Sequence, residues 1–323
     1  MNKHRNRSCI LLVLLASLPF SIAAQDYPNK IVRIVVPFPA GGSTDVLARM
    51  AAQKLNEAHG QNFIVEDRPG ATGTIASAFV AKSAPDGYTV IMHSVSTYMA
   101  GYLYRKLPYD GATAFAPVIN CVVNPFILVS AATLPAKNVK ELIALAKRHP
   151  TEVTYGTVGR GSGSHMVAEM FNTAAGIKTV PVAYKGSTPA MVALASGEVG
   201  FSVNNILDVQ SFVRQGKMRA LAVTSAKRSP AVSDVPTLIE SGVNVEANLW
   251  TGLFAPQNTN RAAIAYLNGN IGRIWDTADM KSWLLTSLGG EFTPNTPEQF
   301  ASFIATDATR WQKIIKQMDL HLD

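Results

Sequence analysis

The residues best suited to chemistry lie in two glycine-rich stretches, "FPAGGSTD" at 38–45 and "GTVGRGSGSH" at 156–165. Each follows an apolar run and leads into helical spacing. Glycine allows a ligand to approach the backbone closely. The free N–H groups of a first helical turn, with the helix dipole behind them, favour an anion. Residues 40–44 and 159–164 can therefore each grip one oxyanion, with Ser43, Thr44, Ser162 and Ser164 adding hydroxyl donors. Taken singly, either loop is also open to a plainer reading, in which the glycines make tight turns and Ser43 or Ser164 caps its helix. Asp45 reads as helix support, because an acid in the first turn complements the dipole. Arg160 and Lys185 are either partners for a ligand carboxylate or solvated loop charges. His165 either titrates beside a ligand or makes a structural hydrogen bond.

Enzyme signatures do not appear around these groups. Ser162 sits in Arg-Gly-Ser-Gly-Ser, which misses the Gly-x-Ser-x-Gly spacing of a nucleophile elbow. "GTVGRGSG" gives Gly-x-Gly-x-Gly rather than a dinucleotide fingerprint, and no Walker lysine follows either loop. His59, His93, His149, His165 and His321 are far apart, without metal-ligand spacing. The expectation is no catalytic residue, no metal and no cofactor. An exported hydrolase using Ser162 or His165 stands as the rival from another class.

The elements that must position these loops alternate. Strands are expected at 31–36, 63–66, 88–92, 118–129, 153–157, 179–183, 199–203 and 220–224, with helical patterns between them. Asn138 and Glu141 form a capping pair for a helix over 139–148, and Ser187 or Thr188 is expected to cap the helix that ends near Gly197. The last 60 or so residues read as mainly helical. Such alternation implies parallel sheets covered on both faces, with ligands at the carboxyl ends of the strands. Five polar loops follow strands there, at 37–45, 93–98, 157–164, 184–188 and 204–208. They bring in Ser94, Asn204 and Asn205. Tyr184 and Trp250 are either pocket walls or core.

The chain has 323 residues. Its start has a basic n-region (Lys3, Arg5, Arg7), an apolar stretch from Ile10 to Phe20, and small residues up to Ala24. This is the pattern of a cleaved secretory leader, too short to anchor in a bilayer. Removing those three cations, which no acid offsets, takes the formal charge from +7 to +4. That balance suits small anions and shows no Lys/Arg cluster for nucleic acid. Only Cys121 follows the leader, so no intrachain disulfide can form, which is compatible with a Gram-negative periplasm. The remaining length suits two lobes, with crossings near 118–128 and 245–255.

Several long stretches resemble one family. "YPNKIVRIVVPFPAGGSTDVLAR", "VEDRPGATGTIASAFVAKSAPDGYTV", "YGTVGRGSGSHMVAEMF", "VPVAYKGSTPAMVALASGEV" and "GKMRALAVTSAKRSPAVSDVPTLIESG" are similar to the extracytoplasmic solute receptors of tripartite tricarboxylate transporters, the Bug-type receptors. The resemblance runs in order over essentially all of the chain after the leader. It implies an α/β fold of the type II periplasmic-binding-protein kind, two lobes joined by crossing strands with a cleft between them. It also implies a small carboxylate or dicarboxylate ligand held by backbone amides, hydroxyls and waters, and the transporter's membrane subunits as partners. By resemblance, Phe38, Ala40, Gly41, Gly42, Ser43 and Thr44 form one carboxylate grip, and Thr157, Gly161 and Ser162 the other. Tyr184 and Lys185 match the family's Tyr-Lys-Gly turn. Two departures stand out. Asn204-Asn205 replaces the usual Asp-Asn, which removes an acid near the cleft and bears on which ligand atom is accepted there. "APQNTN" at 255–260 replaces Ala-Pro-x-Gly-Thr-Pro, a loop change.

The resulting expectation is a leader over 1–24, a first lobe from 25–122 and 248–323, and a second lobe over 123–247. It is a monomeric periplasmic receptor without catalytic activity, and its candidate ligand-binding residues include Ser94 and Asn204 besides the two grips. A sensory or orphan receptor not coupled to transport is the nearer alternative.

Overall fold

The computed structural model describes residues 27–318 apart from 61 and 112; the expected leader over 1–24 lies outside them. In chain order the strands are β1 (Val32–Val36), β2 (Phe63–Asp67), β3 (Thr89–Ser94), β4 (Phe115–Ala131), β5 (Thr154–Thr157), β6 (Val180–Ala183), β7 (Phe201–Asn205), β8 (Met218–Val223) and β9 (Asn248–Pro256). The helices are α1 (Ser43–His59), α2 (Thr74–Ala81), α3 (Val95–Leu103), α4 (Val139–Arg148), α5 (Gly163–Ala175), α6 (Ser187–Ser196), α7 (Ile206–Arg214), α8 (Arg261–Trp275), α9 (Ala278–Trp283) and α10 (Pro297–Met318).

The strands run in the order β2-β1-β3-β9-β4-β7-β5-β6, with β8 also paired to β4. The β2-β1-β3 and β7-β5-β6 groups are parallel, as strand–helix alternation demands. The two groups belong to different lobes, and β4 serves both. Its residues Phe115–Pro125 pair antiparallel with β9, while Phe126–Ser130 pair with β7 and Ile127–Ala131 with β8. The strand changes partners between Pro125 and Phe126. The return is at Ala247, whose N–H still bonds Thr224 in the second lobe, before Asn248 joins β9.

Alternation along the strands builds the core on both faces. Val32, Ile34 and Val36 point to one side, against Leu47, Ala51 and Leu55 of α1 and Leu267 and Ile271 of α8. Val35 points to the other side, into a cluster that continues through Phe126, Tyr155, Phe171 and Phe201 of the second lobe. Cys121 is buried and unpaired, and burial pushes its thiol up to about 12.

Three expectations need correction. Residues 93–98 and 204–208 are not loops: β3 runs through Ser94 straight into α3, and β7 through Asn205 straight into α7. Both helices form because apolar residues recur on one face (Val95, Met99, Leu103; Ile206, Val209), all buried. Neither Ser187 nor Thr188 caps α6. The cap position is Gly186, at φ 114°, where a Cβ would sit 2.8 Å from Pro39. The capping pair at 138/141 is present. Asn138 accepts the Glu141 N–H at 2.9 Å, and Glu141 reaches back to the N–H of Lys137 at 2.7 Å.

Candidate ligand-binding site

Five helices begin at the carboxyl ends of strands and aim their N-termini at one small cavity between the lobes. They are α1 and α3 of the first lobe and α5, α6 and α7 of the second. The cavity holds about 50 Å³. Gly42, Ser43 and Thr44 line it from α1, Ser94 and Ser96 from α3, Ser164 from α5, Ser187 from α6, and Asn204, Asn205 and Asp208 from the end of β7 and α7. Phe38, Pro39, Phe126, Val158 and Leu249 give it an apolar side. No lysine, arginine or histidine reaches the wall, and Asp208 is its one titratable side chain. The positive field in this space comes from backbone N–H groups, roughly half a charge per helix end.

The α1 and α5 starts share a construction. At α1 the cap is Gly42; the glycine before it, Gly41, has φ 87°, and its N–H is accepted at 2.8 Å by Asp45, third in the helix. At α5 the cap is Ser162; Gly161 before it has φ 74°, and its N–H is accepted at 3.0 Å by Nδ1 of His165, also third in the helix. Asp45 is 3% exposed and His165 4%. Asp45 also pairs with Arg49 at 2.7 Å, and Arg49 reaches Asp67. Burial raises the Asp67 carboxyl above its usual range, and neighbouring Asp45 adds to this. The His165 imidazole is pushed down to about 4 by burial and by Arg160, so it is neutral and accepts.

The second loop is tied together further. The N–H of Val158 donates to Ser164 Oγ at 3.1 Å, and Ser162 Oγ donates to the Gly159 carbonyl at 2.7 Å. The 2.9 Å contact between the two hydroxyls must then run from Ser164 to Ser162. Ser162 and His165 are thus spent on their own loop's backbone and do not form a nucleophile–base pair.

Each lobe completes the other's helix start. The first N–H of α1, on Ser43, donates to Asp208 Oδ1 at 3.0 Å. The first N–H of α5, on Gly163, donates to Ser96 Oγ at 2.7 Å. Asn205 Nδ2 donates to Ser43 Oγ at 2.6 Å and to Asp208 Oδ2 at 3.1 Å. The Thr72 hydroxyl donates to the Arg160 carbonyl at 2.8 Å. Burial raises the Asp208 carboxyl, while bonds from Ser187, Asn205 and Ser43 pull it down.

Of the residues singled out in the sequence, Phe38, Gly42, Ser43, Thr44, Ser94 and Asn204 line this cavity. Ala40, Gly41, Thr157, Gly161, Ser162 and Tyr184 do not. The N–H groups of Gly41 and Gly161 turn back to Asp45 and His165. Thr157 is fully buried behind its loop, bonded to Gly159. Ala40 is exposed at the bend. The Tyr184 hydroxyl donates to Glu198 at 2.7 Å, away from the cleft. Arg160 and Lys185 are exposed, and Trp250 is core, its indole N–H held by Asp307. Sequence reading missed Ser96, Phe126, Val158, Asp208 and Leu249 as wall residues. The signal for Ser96 and Asp208 was their place two or three residues past a strand end.

A larger groove, about 710 Å³, lies along the crossing, between β4 residues Asn120–Pro125 and the loops at 225–230 and 289–295. No helix N-terminus among those above reaches it. Among the described residues there is no cluster placed to hold a metal ion, and no helix is long and apolar enough to cross a membrane.

Comparison with known proteins identifies the family and the fold. The tripartite tricarboxylate transporter family receptor model matches residues 47–320. The protein BugT of Bordetella pertussis is 33% identical over 310 residues, which cover 95% of each chain. The structure of R. palustris Rpa4515 with adipate superposes with a TM-score of 0.89 and 35% identity, over 92% of this chain and 99% of that one. MatC (Rpa3494) from Rhodopseudomonas palustris with bound malate gives 0.84 and 31%, over 90% and 100%. The two-lobed α/β architecture is therefore that of the periplasmic binding proteins, and the chain belongs to the tripartite tricarboxylate transporter receptor family.

Proposed function

We propose that the protein is a periplasmic solute receptor that captures a small carboxylate between its lobes and delivers it to the membrane subunits of a tripartite tricarboxylate-type transporter. The observation that carries this is the convergence of five helix N-termini on a cavity with no basic side chain. Such a wall stabilises a carboxylate with fixed backbone donors. The adipate and malate held by the two Rhodopseudomonas palustris proteins support the same class. A ligand touching both lobes binds the closed form better, and only that difference can drive closure.

The proposed ligand-contacting residues are Phe38, Gly42, Ser43, Thr44, Ser94 and Asn204, with Ala40, Gly41, Thr157, Gly161 and Ser162 shaping the loops behind them. Lobe limits at 25–122 with 248–323, and at 123–247, are part of the proposal, supported by the change of partner along β4. So are export by a leader ending at Ala24, action as a monomer, and the absence of catalysis.

The test is a thermal-shift screen of the protein lacking residues 1–24 against mono-, di- and tricarboxylates, amino acids and neutral sugars. A ligand at 100 times its Kd adds about 2.7 kcal/mol of stability. Shifts by carboxylates alone are expected; shifts by sugars alone would sink the reading.

A further inference from the structure

Asp208 is out of place in an anion-binding cavity. It sits on the second lobe, yet its carboxylate occupies the first N–H of α1 in the first lobe, 165 positions away in the sequence. That N–H is the donor a ligand carboxylate would seek at this helix end. The protein has already filled one of its own oxyanion positions. Asp208 receives three bonds, from the Ser43 N–H and from the Asn205 and Ser187 side chains. Two carboxylate oxygens offer about four lone-pair sites, so one acceptor site remains. With no basic side chain on the wall, nothing in the cavity neutralises this charge except the helix ends.

We propose that Asp208 stands in for a second ligand carboxylate, so that this receptor selects a small monocarboxylate carrying an ammonium group, an amino acid, over a dicarboxylate. The inference rests on the carboxylate reading above. The ligand carboxylate goes to the starts of α3 and α6, because Ser96 already holds the first N–H of α5. Its ammonium donates to the open lone pair of Asp208. Its short chain lies against Phe38, Phe126 and Leu249. A dicarboxylate would place its second charge against Asp208, where like charges in a desolvated space repel strongly.

Isothermal titration of the protein lacking residues 1–24 tests this with matched probes: alanine and 4-aminobutyrate against malonate, succinate and adipate. The wild type is expected to bind at least one amino acid 10-fold or more tightly than any of the dicarboxylates. In Asp208→Asn the amino acid should lose at least 10-fold and the dicarboxylates should gain. Asp208→Ser, with a melting curve for each variant, serves if Asn disturbs folding. A wild type that prefers a dicarboxylate, or a preference that neither variant moves, overturns the role of Asp208 and leaves the carboxylate reading standing. Binding of neither class overturns both.

Discussion

The starts of α1 and α5 are the same device made with different chemistry. In each, a glycine at positive φ precedes the cap, and the third helical residue folds back to accept that glycine's N–H. In the first lobe the acceptor is the carboxylate of Asp45; in the second it is the neutral imidazole of His165. Across the cleft each helix also gives its first N–H to the other lobe, α1 to the charged Asp208 and α5 to the neutral Ser96. The backbone needs only an acceptor at each point. Which acceptor is used decides the response to pH and the charge a ligand meets.

The largest effect that separates the two starts is expected at Asp45. Asp45→Ala removes charge-assisted bonds to Gly41 and Arg49 in a buried place, and should lower unfolding stability by about 2 kcal/mol in a denaturant titration. A loss no greater than that of an exposed surface substitution would mean that the first loop holds its shape without the acid.

The second effect is acid sensitivity at α5. His165 is neutral in the fold, lowered to about 4, whereas the unfolded chain takes up its proton near the ordinary value of 6.5. Its contribution is therefore complete above about 6.5 and is lost as pH falls toward about 4, at roughly 1 kcal/mol per pH unit. His93, pushed down to about 3 by full burial, acts in the same direction. The difference between wild type and His165→Asn, whose amide oxygen keeps an acceptor near Nδ1, isolates the loop. Denaturation midpoints from pH 7.5 to 4.5 should fall less steeply in the variant. Parallel curves would remove His165 from the account.

The smallest effect is at the caps. Gly42→Ser gives α1 the cap residue that α5 already has in Ser162. Gly42 has φ −81°, and a Cβ there meets nothing closer than 3.8 Å, so the side chain fits. A gain of a few tenths of a kcal/mol is expected from the melting temperature. A loss would show that the two starts are less alike than their hydrogen bonds.

Much of the frame was legible because it is local. Apolar runs marked the strands, the 138/141 pair marked a helix start, and the glycine-rich loops marked the starts of α1 and α5. The supporting role of Asp45 also followed from its position alone. What escaped was of two kinds. The starts of α3 and α7 looked like loops because Ser94, Ser96, Asn204 and Asn205 are common turn residues, whereas here Ser94 and Asn205 end strands at helix N-cap positions and buried faces carry the helices that follow. The cross-lobe partners could not be read at all. Asp208 has the same local signature as Asp45, an acid third in its helix, yet one turns back and the other reaches across the cleft. Only the fold distinguishes them.

The wall made of helix ends rather than basic side chains also sets how the protein meets its ligand in time. Fields from helix ends fade within about a turn, so they do not reach out to gather ions from the surrounding fluid as a lysine-lined funnel would. Encounter is left to diffusion and to how often the lobes part. Once the cleft shuts, mobile counter-ions are kept out and the attraction goes unscreened. Discrimination between solutes is then written in how long each one stays, and changes in external ionic strength leave it almost untouched.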